Sequence, residues 1–597
     1  MKTISYALTL VLGVLLFTSC EEYLEKTPEA TVTDEDVFST YESFQGFIDP
    51  NYAEVVNYNT FYATTTANMG GETLNNFISW SPAYTTWNGD YWYIAGADDY
   101  SFNDYTSLYM NGHYGYGIFD MNGGGGIWTG GWRGIRRCNV ALEYLHLLSD
   151  ATQEEKQLIE GQIYFFRAYF HHQIIDAFGG MPYIDKVYSP NDKVQLDRLT
   201  YHQCTERIVE DYDKAISLLP VDWDKTVVGG QRPGANTGRA TKGAAMAYKA
   251  KVLLYAGSPL MNKFSGGDYT YNTSYCERAA AAGWELIQMV RETGIYELED
   301  FSTIQNMYAR NDGIQPWSKE TIWQLNRVGG GFYDWESYIR RQYCFARLGG
   351  RYCEQVNQLF VDKFEMADGT RYKIEYDNDN TKRWENRDPR FRKNIIIDRD
   401  QWGDDERSII YLYEGEGSDK TSESQVSLPY LIKKFWIKGV NGFDKKWENL
   451  CIISPLMRLA EVYLDYAEAV TAAYGPSGSA PGADMTAVDA LNVVRDRCGM
   501  PPVTAAAPEY PGFMDLVWNE RDVELCFEGH YWYDTRRWHT AHLNLECVDL
   551  KFDKDWTTFT RVPIKTKVFE DPKHYWLPMN RNQALLYPGF YQNPGWE

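Results

Sequence analysis

The stretch from 516 to 538, which reads LVWNERDVELCFEGHYWYDTRRW, constrains the fold of this chain more than any other. Leu516, Val523 and Phe527 recur at the spacing of one face of an α-helix, so we expect that face to point into an apolar core. Gly529 follows at a place where helices commonly end. The stretch therefore predicts a helix, a turn and a second helix.

Three glutamates, Glu520, Glu524 and Glu528, share one edge of the predicted first helix at intervals of four residues. Such a row of like charges destabilises a helix unless cations neutralise it. A buried carboxylate also needs a partner, and the planar guanidinium of arginine offers it two parallel hydrogen bonds. The predicted partners are Arg521, Arg536 and Arg537. We therefore expect a helix–turn–helix corner locked by Arg–Glu pairs.

The same carboxylates permit a catalytic interpretation, because glycoside hydrolases act through a pair of carboxyl groups. One group of that pair must be a carboxylic acid with a raised pKa. Three nearby arginines lower carboxyl pKa values instead. The charge pattern thus favours a structural role for the corner.

The composition excludes several classes of partner. The net charge is −24 and the chain contains no basic run of five residues, which argues against nucleic acid and against electrostatic docking on anionic lipid. Aromatic residues make up 16% of the chain, with 46 Tyr and 20 Trp, which is more than packing requires. Surfaces rich in aromatic rings suit flat, partly apolar ligands such as sugars.

The first 19 residues are predicted to be a signal peptide, with Lys2 before an apolar run from Ile4 to Phe17. That run is too short to span a membrane. It leads into Thr18-Ser19-Cys20, which resembles the lipobox of bacterial lipoproteins, although Phe17 replaces the usual leucine. In that class the cysteine is acylated, so Cys20 is the predicted lipidation site. An ordinary signal peptide with a coincidental cysteine is the alternative.

Helical periodicity dominates the rest of the chain, and paired helices with small residues at their crossings resemble tetratricopeptide-like units. The sequence thus predicts a mainly α fold in one domain over 20–597. Within it we expect a tether and first helix over 20–60, loop-rich insertions over 70–131 and 296–450, helical repeats over 132–292 and 455–540, and a C-terminal wrap over 541–597.

Metal and cofactor motifs are not evident. No C-x-x-C, H-E-x-x-H, G-x-S-x-G or Walker sequence occurs, and the adjacent His171 and His172 would point about 100° apart on a helix. The run from 377 to 380, DNDN, is similar to the start of a calcium loop, but Lys382 occupies the position that needs glycine. A solvated turn is therefore favoured there. The sequence predicts no metal ligands, no cofactor and no catalytic residues.

Motifs along nearly the whole chain resemble the SusD/RagB family of outer-membrane nutrient-binding lipoproteins. They are WRGIRRCN at 132–139, GQIYFFRAYF at 161–170, GRATKGAA at 238–245, VDKFEMADG at 361–369, NRDPRF at 386–391, RLAEVYLDYAEA at 458–469, VRDRCGMP at 494–501, HYWLPM at 574–579 and QNPGW at 592–596. Each motif alone is weak, whereas so many in one order are specific. These motifs define the scaffold and carry no ligand residues.

The resemblance implies a helical scaffold that presents long loops, on a lipoprotein anchored in the outer membrane at the cell surface. It implies a protein without catalytic activity that captures an oligosaccharide or polysaccharide and delivers it to a SusC-like TonB-dependent porin. The alternative is an α-helical glycoside hydrolase acting on a neutral polysaccharide. That enzyme would need two carboxyl groups about 5–9.5 Å apart in a cleft, for which Asp90, Asp98 and Asp99 are the candidates.

Members of the family bind ligand on aromatic residues of variable loops, and this chain has two irregular aromatic stretches, 80–93 and 332–343. The residues expected to stack on sugar are Trp87, Trp92, Tyr333 and Trp335. The residues expected to hydrogen-bond beside them are Asn88, Asp90 and Arg341. A helical scaffold can bring two such loops to one face.

Overall fold

The computed structural model describes residues 33–55, 73–74, 126–189, 191–325, 343–344, 348, 352–353 and most of 355–596. Within the last range it leaves out 404–407, 421–427, 442, 444–448, 544, 567–568, 578 and 580–586.

Most of the regular structure in the described residues is helical. The helices are α1 Asp34–Phe38, α2 Tyr41–Ile48, α3 Pro50–Glu54, α4 Gly126–Tyr144, α5 Gln153–Phe178, α6 Tyr201–Leu218, α7 Val227–Gly230, α8 Lys242–Gly257, α9 Pro259–Lys263, α10 Thr273–Thr293, α11 Gln358–Val361, α12 Pro389–Asn394, α13 Leu459–Tyr474, α14 Ala487–Arg497, α15 Phe513–Glu524 and α16 Tyr531–Arg537.

Helix α5 shows how the sequence sets these bounds. Thr152 caps its first turn in a capping box with Glu155, and Gly179, with φ +76°, follows its last residue. The apolar stripe that begins at Ile159 and Ile163 is buried along the whole helix. A helix with so much of its surface buried must have neighbours on several sides.

The longer helices pack in an order that follows the chain. Helix α4 packs on α5, α5 on α6, α6 on α8, α8 on α10, α10 on α13, and α13 on both α14 and α15. The Ala-rich helix α8 is buried along nearly its whole length between α6 and α10, as its small side chains predict. This array confirms the mainly α, tetratricopeptide-like fold class.

The strands are short and lie mostly in the part of the chain between α10 and α13. They are β1 Thr73–Leu74, β2 Ala309–Arg310, β3 Thr321–Trp323, β4 Tyr343–Cys344, β5 Tyr352–Cys353, β6 Gln355–Val356, β7 Ile395–Ile396, β8 Leu431–Ile432, β9 Cys451–Ile452, β10 Met457–Arg458, β11 Glu546–Phe552 and β12 Phe559–Thr566. Strands β1, β6, β8 and β7 form an antiparallel sheet in that order. Strands β11 and β12 form a hairpin.

The described residues contain two clusters of buried apolar side chains. One joins the long helices, and the other surrounds the β6–β8–β7 part of the sheet and the β11–β12 hairpin. The predicted corner lies between them, because Leu516 belongs to the first cluster while Val523 and Phe527 belong to the second. The expectation that this face is buried is therefore confirmed.

None of the described helices combines the length and the apolar character needed to cross a membrane. Five cysteines in the described part of the chain are buried as small apolar side chains: Cys138, Cys204, Cys276, Cys498 and Cys526.

Candidate functional site

The residues predicted to contact ligand all lie outside the described residues. They are Trp87, Asn88, Asp90, Trp92, Tyr333, Trp335 and Arg341. The same holds for the predicted lipidation site, Cys20, and for the alternative catalytic candidates Asp98 and Asp99. Their roles stay predictions.

The structure describes one short strand on the outer side of each stretch that is predicted to bind ligand. Strand β1 ends six residues before the first stretch begins, and strand β6 begins twelve residues after the second stretch ends. These two strands pair with each other, with Thr73 opposite Val356 and Leu74 opposite Gln355. One sheet therefore contains a strand that precedes the first stretch in the chain and a strand that follows the second.

The base of this sheet is firmly built into the molecule. Gln355 and Val356 are fully buried, and the Gln355 side-chain oxygen accepts a hydrogen bond from the Leu428 backbone at 2.8 Å. Next in the chain, Asn357 binds strand β11, since its side-chain oxygen accepts from the Val548 backbone at 3.1 Å. Its amide group donates to the Glu546 carbonyl at 3.2 Å. Gln355 of strand β6 and the adjacent Asn357 are thus held in place by hydrogen bonds to other segments.

One exposed aromatic residue that precedes the second stretch in the chain is not among the predicted ligand residues. Trp317, which is 39% exposed, lies in the loop between β2 and β3 together with Ile314, which is 59% exposed. Strand β3 follows this loop and ends nine residues before the second stretch begins. Neither residue belongs to an aromatic run, so local spacing carries little signal for them.

The corner is confirmed as a helix, a turn and a second helix, but the first helix ends at Glu524. Beyond it the chain turns sharply, with positive φ at Phe527 (+65°) and Gly529 (+88°). The prediction that Glu528 lies on the same helix edge as Glu520 and Glu524 is therefore wrong. The turn nevertheless brings Glu528 back beside the other two, because Arg458 contacts both Glu524 and Glu528.

The predicted partners of the three glutamates are also wrong. Glu520 binds Arg390 at 2.5 Å and Arg495 at 2.7 Å. Glu524 binds Arg458 at 2.8 Å and also contacts Arg497. None of these cations lies in the corner itself: Arg390 is on α12, Arg458 is in β10, and Arg495 and Arg497 are on α14.

Glu528 completes this cluster through Arg458 and one further cation. Two of its hydrogen bonds come from Arg458, each at 2.8 Å, and a third comes from Lys434 at 2.6 Å. Glu320 also binds Arg458, at 2.7 Å, and Arg497, at 2.8 Å. Arginines thus bridge carboxylates in a continuous buried network.

The three predicted arginines serve a second set of contacts. Arg521 follows Glu520 directly, so it projects about 100° away around the helix and reaches α13, where it binds Asp465 at 2.5 Å. Arg521 and Arg537 share Asp534, at 2.7 and 2.8 Å. Arg537 also binds Glu468 on α13 at 2.8 Å. Arg536 stacks on the ring of Trp532, with 3.9 Å between the guanidinium carbon and the ring centre.

The electrostatics of the corner suit a structural lock. Burial acts to raise the pKa of Glu520, Glu524 and Glu528, but their arginine partners hold each pKa below its ordinary value. These carboxylates are therefore ionised at neutral pH, whereas the acid catalyst of a glycoside hydrolase must be protonated.

The calcium-like run at 377–380 is a turn in which Asn378 and Asn380 are exposed, as expected for a solvated turn, but Asp377 is buried. The Asp377 carboxylate accepts hydrogen bonds from Tyr372 at 2.8 Å and from Arg561 of β12 at 2.5 Å. A guanidinium thus neutralises the one buried carboxylate of the run. The sequence did not predict this burial because Arg561 is distant along the chain.

Two family models match the chain in separate parts that together cover most of it. The model described as the SusD family matches residues 319–596, and the model described as starch-binding associating with outer membrane matches residues 22–254. The first range contains the whole network from Glu320 to Glu528.

Similar proteins agree with these matches. The SusD-like protein P2 of Formosa agariphila is 22% identical over 550 residues, which make up 89% of this chain and 90% of that protein. A solved SusD-like protein from Bacteroides fragilis has a TM-score of 0.71 at 21% identity and covers 96% of this chain and 100% of its own. A second B. fragilis structure, of a SusD-like carbohydrate binding protein, has a TM-score of 0.65 at 17% identity and covers 93% and 99%.

The solved structures share the helical fold described above, and the family models account for nearly all of its elements. All of the motifs quoted from the sequence fall within the matched ranges. The chain belongs to the SusD/RagB family.

Proposed function

We propose that this protein is a cell-surface lipoprotein without catalytic activity that binds an oligosaccharide and delivers it to a SusC-like TonB-dependent outer-membrane transporter. The observation that carries the proposal is the match of one chain to both family models, one of them described as starch-binding and associated with the outer membrane. The carbohydrate-binding B. fragilis protein, whose fold this chain shares, supports the same ligand class.

Sugar binding would rest on stacking against aromatic rings in the two predicted stretches. Burying about 100 Å² of apolar surface per sugar contributes about 2.5 kcal/mol as an upper bound. Several rings in register then give useful affinity for an oligomer after the cost of ordering it. The pairing of β1 with β6 supports this arrangement, because these two strands flank the predicted stretches in the chain.

Anchoring and delivery complete the proposal. Lipidation of Cys20 would hold the protein on the outer membrane, and several acyl chains give the stable attachment that a single chain does not. A surface-anchored binding protein raises the local concentration of glycan at its transporter.

The hydrolase alternative draws no support from the three corner glutamates. Glu520, Glu524 and Glu528 are buried in arginine networks, and their pKa values are held low. Release of new reducing ends from a glycan that the protein binds would favour the hydrolase. Binding without such release favours the proposed function.

The test starts with a glycan array, probed with the soluble chain that begins after Cys20. Isothermal titration then compares Trp87→Ala, Trp92→Ala, Tyr333→Ala and Trp335→Ala against the glycan that binds. Loss of a stacking ring should weaken binding by roughly 1–3 kcal/mol while the melting temperature stays unchanged.

Tyr591→Ala is the matched control, because Tyr591 is an exposed aromatic residue of the C-terminal segment, 57% exposed, outside the predicted stretches. It should bind like the wild type. Wild-type affinity in all four test variants would remove the proposed stacking site.

A further inference from the structure

Three side chains outside the proposed glycan site converge near the end of helix α16. His539 and His542 follow that helix, and Asp571 lies beyond the β11–β12 hairpin. One potential ligand atom from each of them lies within 4.8 Å of the other two. His539 Nε2 and Asp571 Oδ2 are 2.9 Å apart. No sequence motif joins the three residues, because Asp571 is distant from the two histidines along the chain.

The local backbone brings the two imidazoles together. His539 has a φ of +58°, and its backbone N–H donates to the Arg536 carbonyl at 2.8 Å as α16 ends. The chain then enters a short 3₁₀ turn, Ala541–Leu543, which carries His542. The centres of the two imidazole rings lie 4.8 Å apart. A residue other than glycine at positive φ is uncommon, so this turn holds His539 in an unusual position.

Neighbouring tyrosines hold both rings. Tyr269 stacks on His539, with ring centres 3.8 Å apart and planes within 9°. Tyr575 also packs on His539, with ring centres 4.6 Å apart. The Tyr575 hydroxyl contacts His542 Nδ1. Histidines that bind metals characteristically use one ring nitrogen for the metal and the other for such a contact within the protein.

We propose that His539, His542 and Asp571 form a binding site for one divalent transition-metal ion, with Zn²⁺ as the best match. Two imidazoles and one carboxylate are a common protein ligand set for zinc, which takes a water as its fourth ligand. Hard cations such as Ca²⁺ and Mg²⁺ prefer sites made only of oxygen.

The ligand atoms need only a limited rearrangement to hold zinc. Bonds of about 2.0–2.1 Å in a tetrahedron place ligand atoms about 3.3 Å apart. The ligand atoms of the cluster lie within 4.8 Å of one another, and the shortest separation given, 2.9 Å between His539 and Asp571, would lengthen slightly. Asp571 is exposed, so its carboxylate has room for this adjustment. The bound ion would clip the segment before Tyr575 to the end of α16.

A simple ion pair between His539 and Asp571 is the competing explanation. It accounts for two of the residues, but it assigns no role to His542. The two explanations differ in the metal affinity that they predict for variants of His542.

The experiment uses the mature chain without a polyhistidine tag, treated with EDTA and dialysed. Titration calorimetry with ZnCl₂ should give one site per chain. His542→Gln and Asp571→Asn should each weaken binding at least about tenfold, and Tyr575→Phe, which removes the hydroxyl that positions His542, should weaken it by about tenfold. His146→Gln changes an exposed histidine elsewhere and should bind zinc like the wild type. CaCl₂ should give no site.

Two further readouts make the result decisive. Melting temperatures in EDTA should agree between Asp571→Asn and the wild type, so that weaker zinc binding reports the site and not the fold. X-ray absorption at the zinc edge should show imidazole scattering in the wild type and less in His542→Gln. Equal zinc affinity in the wild type, His542→Gln and Asp571→Asn, or equal binding of Ca²⁺, would overturn the proposal.

Discussion

Arg537 shows how strongly the buried charges depend on one another. Its guanidinium binds Asp534 at 2.8 Å and Glu468 at 2.8 Å, and it donates to the Ser258 hydroxyl at 3.0 Å. All of its surface is buried. Taking two opposite charges out of water is costly, and their attraction repays that cost only while both partners are present.

Replacing Arg537 with Ala should destabilise the fold by about 3–5 kcal/mol, because Glu468 and Asp534 then lose a buried partner. The measurement is the free energy of unfolding by denaturant. Arg291→Ala is the matched control, since its ion pair with Asp484 is 42% and 74% exposed and should contribute less than about 1 kcal/mol. Glycan affinity of the folded Arg537→Ala fraction should be unchanged. A variant that melts like the wild type but fails to bind would contradict the structural role.

The sequence predicted that the corner glutamates pair with arginines, but it did not predict which arginines. Glu520 pairs with Arg390 and Arg495, and these contacts depend on how other segments pack against the corner. The local candidate, Arg521, was excluded by the angle between adjacent residues on a helix. The sequence thus shows that the glutamates need cationic partners, whereas the tertiary fold determines which cations those are.

Among the elements, the crossing of α4 and α5 depends on a glycine. A Cβ atom added to Gly134 would lie 2.3 Å from the ring of Phe170, which is buried and rigid. Gly131, one turn earlier, would similarly approach Ile174 at 2.9 Å. The two helices therefore approach closely because small residues line the crossing.

Gly134→Ala should destabilise the fold by about 1–3 kcal/mol through this overpacking. Gly46→Ala provides the contrast, because Gly46 also lies in a helix but no atom lies within 4 Å of the position that a Cβ would take there. That substitution should stabilise the protein by about 0.5–1 kcal/mol through helix propensity alone. Denaturant titration measures the change in the free energy of unfolding for each of the two variants. Equal effects of the two substitutions would show that the crossing tolerates a methyl group.

Helix α5 also carries a buried acid at its C-terminal end. Burial raises the pKa of Asp176 to about 7 from its ordinary 3.8, although the Tyr201 hydroxyl donates to it at 2.6 Å. A carboxyl group with a raised folded-state pKa contributes its full stability below the unfolded pKa and loses it as pH rises through the folded pKa. The free energy of unfolding should therefore fall, through Asp176, as the pH rises from about 4 to about 7.

Asp176→Asn should remove this pH dependence, because an amide does not ionise and its oxygen still accepts from Tyr201. Relative to the wild type, the variant should gain about 2 kcal/mol in free energy of unfolding between about pH 5 and pH 7. Only the difference between the two proteins is compared, so other titrating groups largely cancel. Parallel stability curves across this range would refute the raised pKa.

For the whole molecule, helices were the most predictable part. The stripe of α5 and the small residues of α8 were evident from spacing alone. The β11–β12 hairpin was not predicted, although Val548, Leu550 and Phe552 alternate along β11. Its partner strand contains Pro563, which normally argues against a strand, and the register shifts beside its partner Val548. The predicted ligand residues belong to irregular stretches, where the spacing of residues carries little information about structure.

Membrane attachment tests the proposed anchor of the mature protein. Cys20→Ala should release the protein from membranes, because the described helices include none that could span a bilayer and lipid would supply the attachment. Membrane fractionation of cells lacking the transporter partner measures this. Continued pelleting of the variant with membranes would refute lipidation at Cys20.

The buried network between Glu320 and Glu528 joins segments that are synthesised at different times. Arg390, Arg458 and Arg495 each pair with a carboxylate that precedes them in the chain, in Asp388, Glu320 and Glu365 respectively. Glu520 and Glu524 follow later and add a further carboxylate to each guanidinium. We expect this core to become fully paired only after residues 520–528 have been synthesised, because a buried charge is stable only with its partners present.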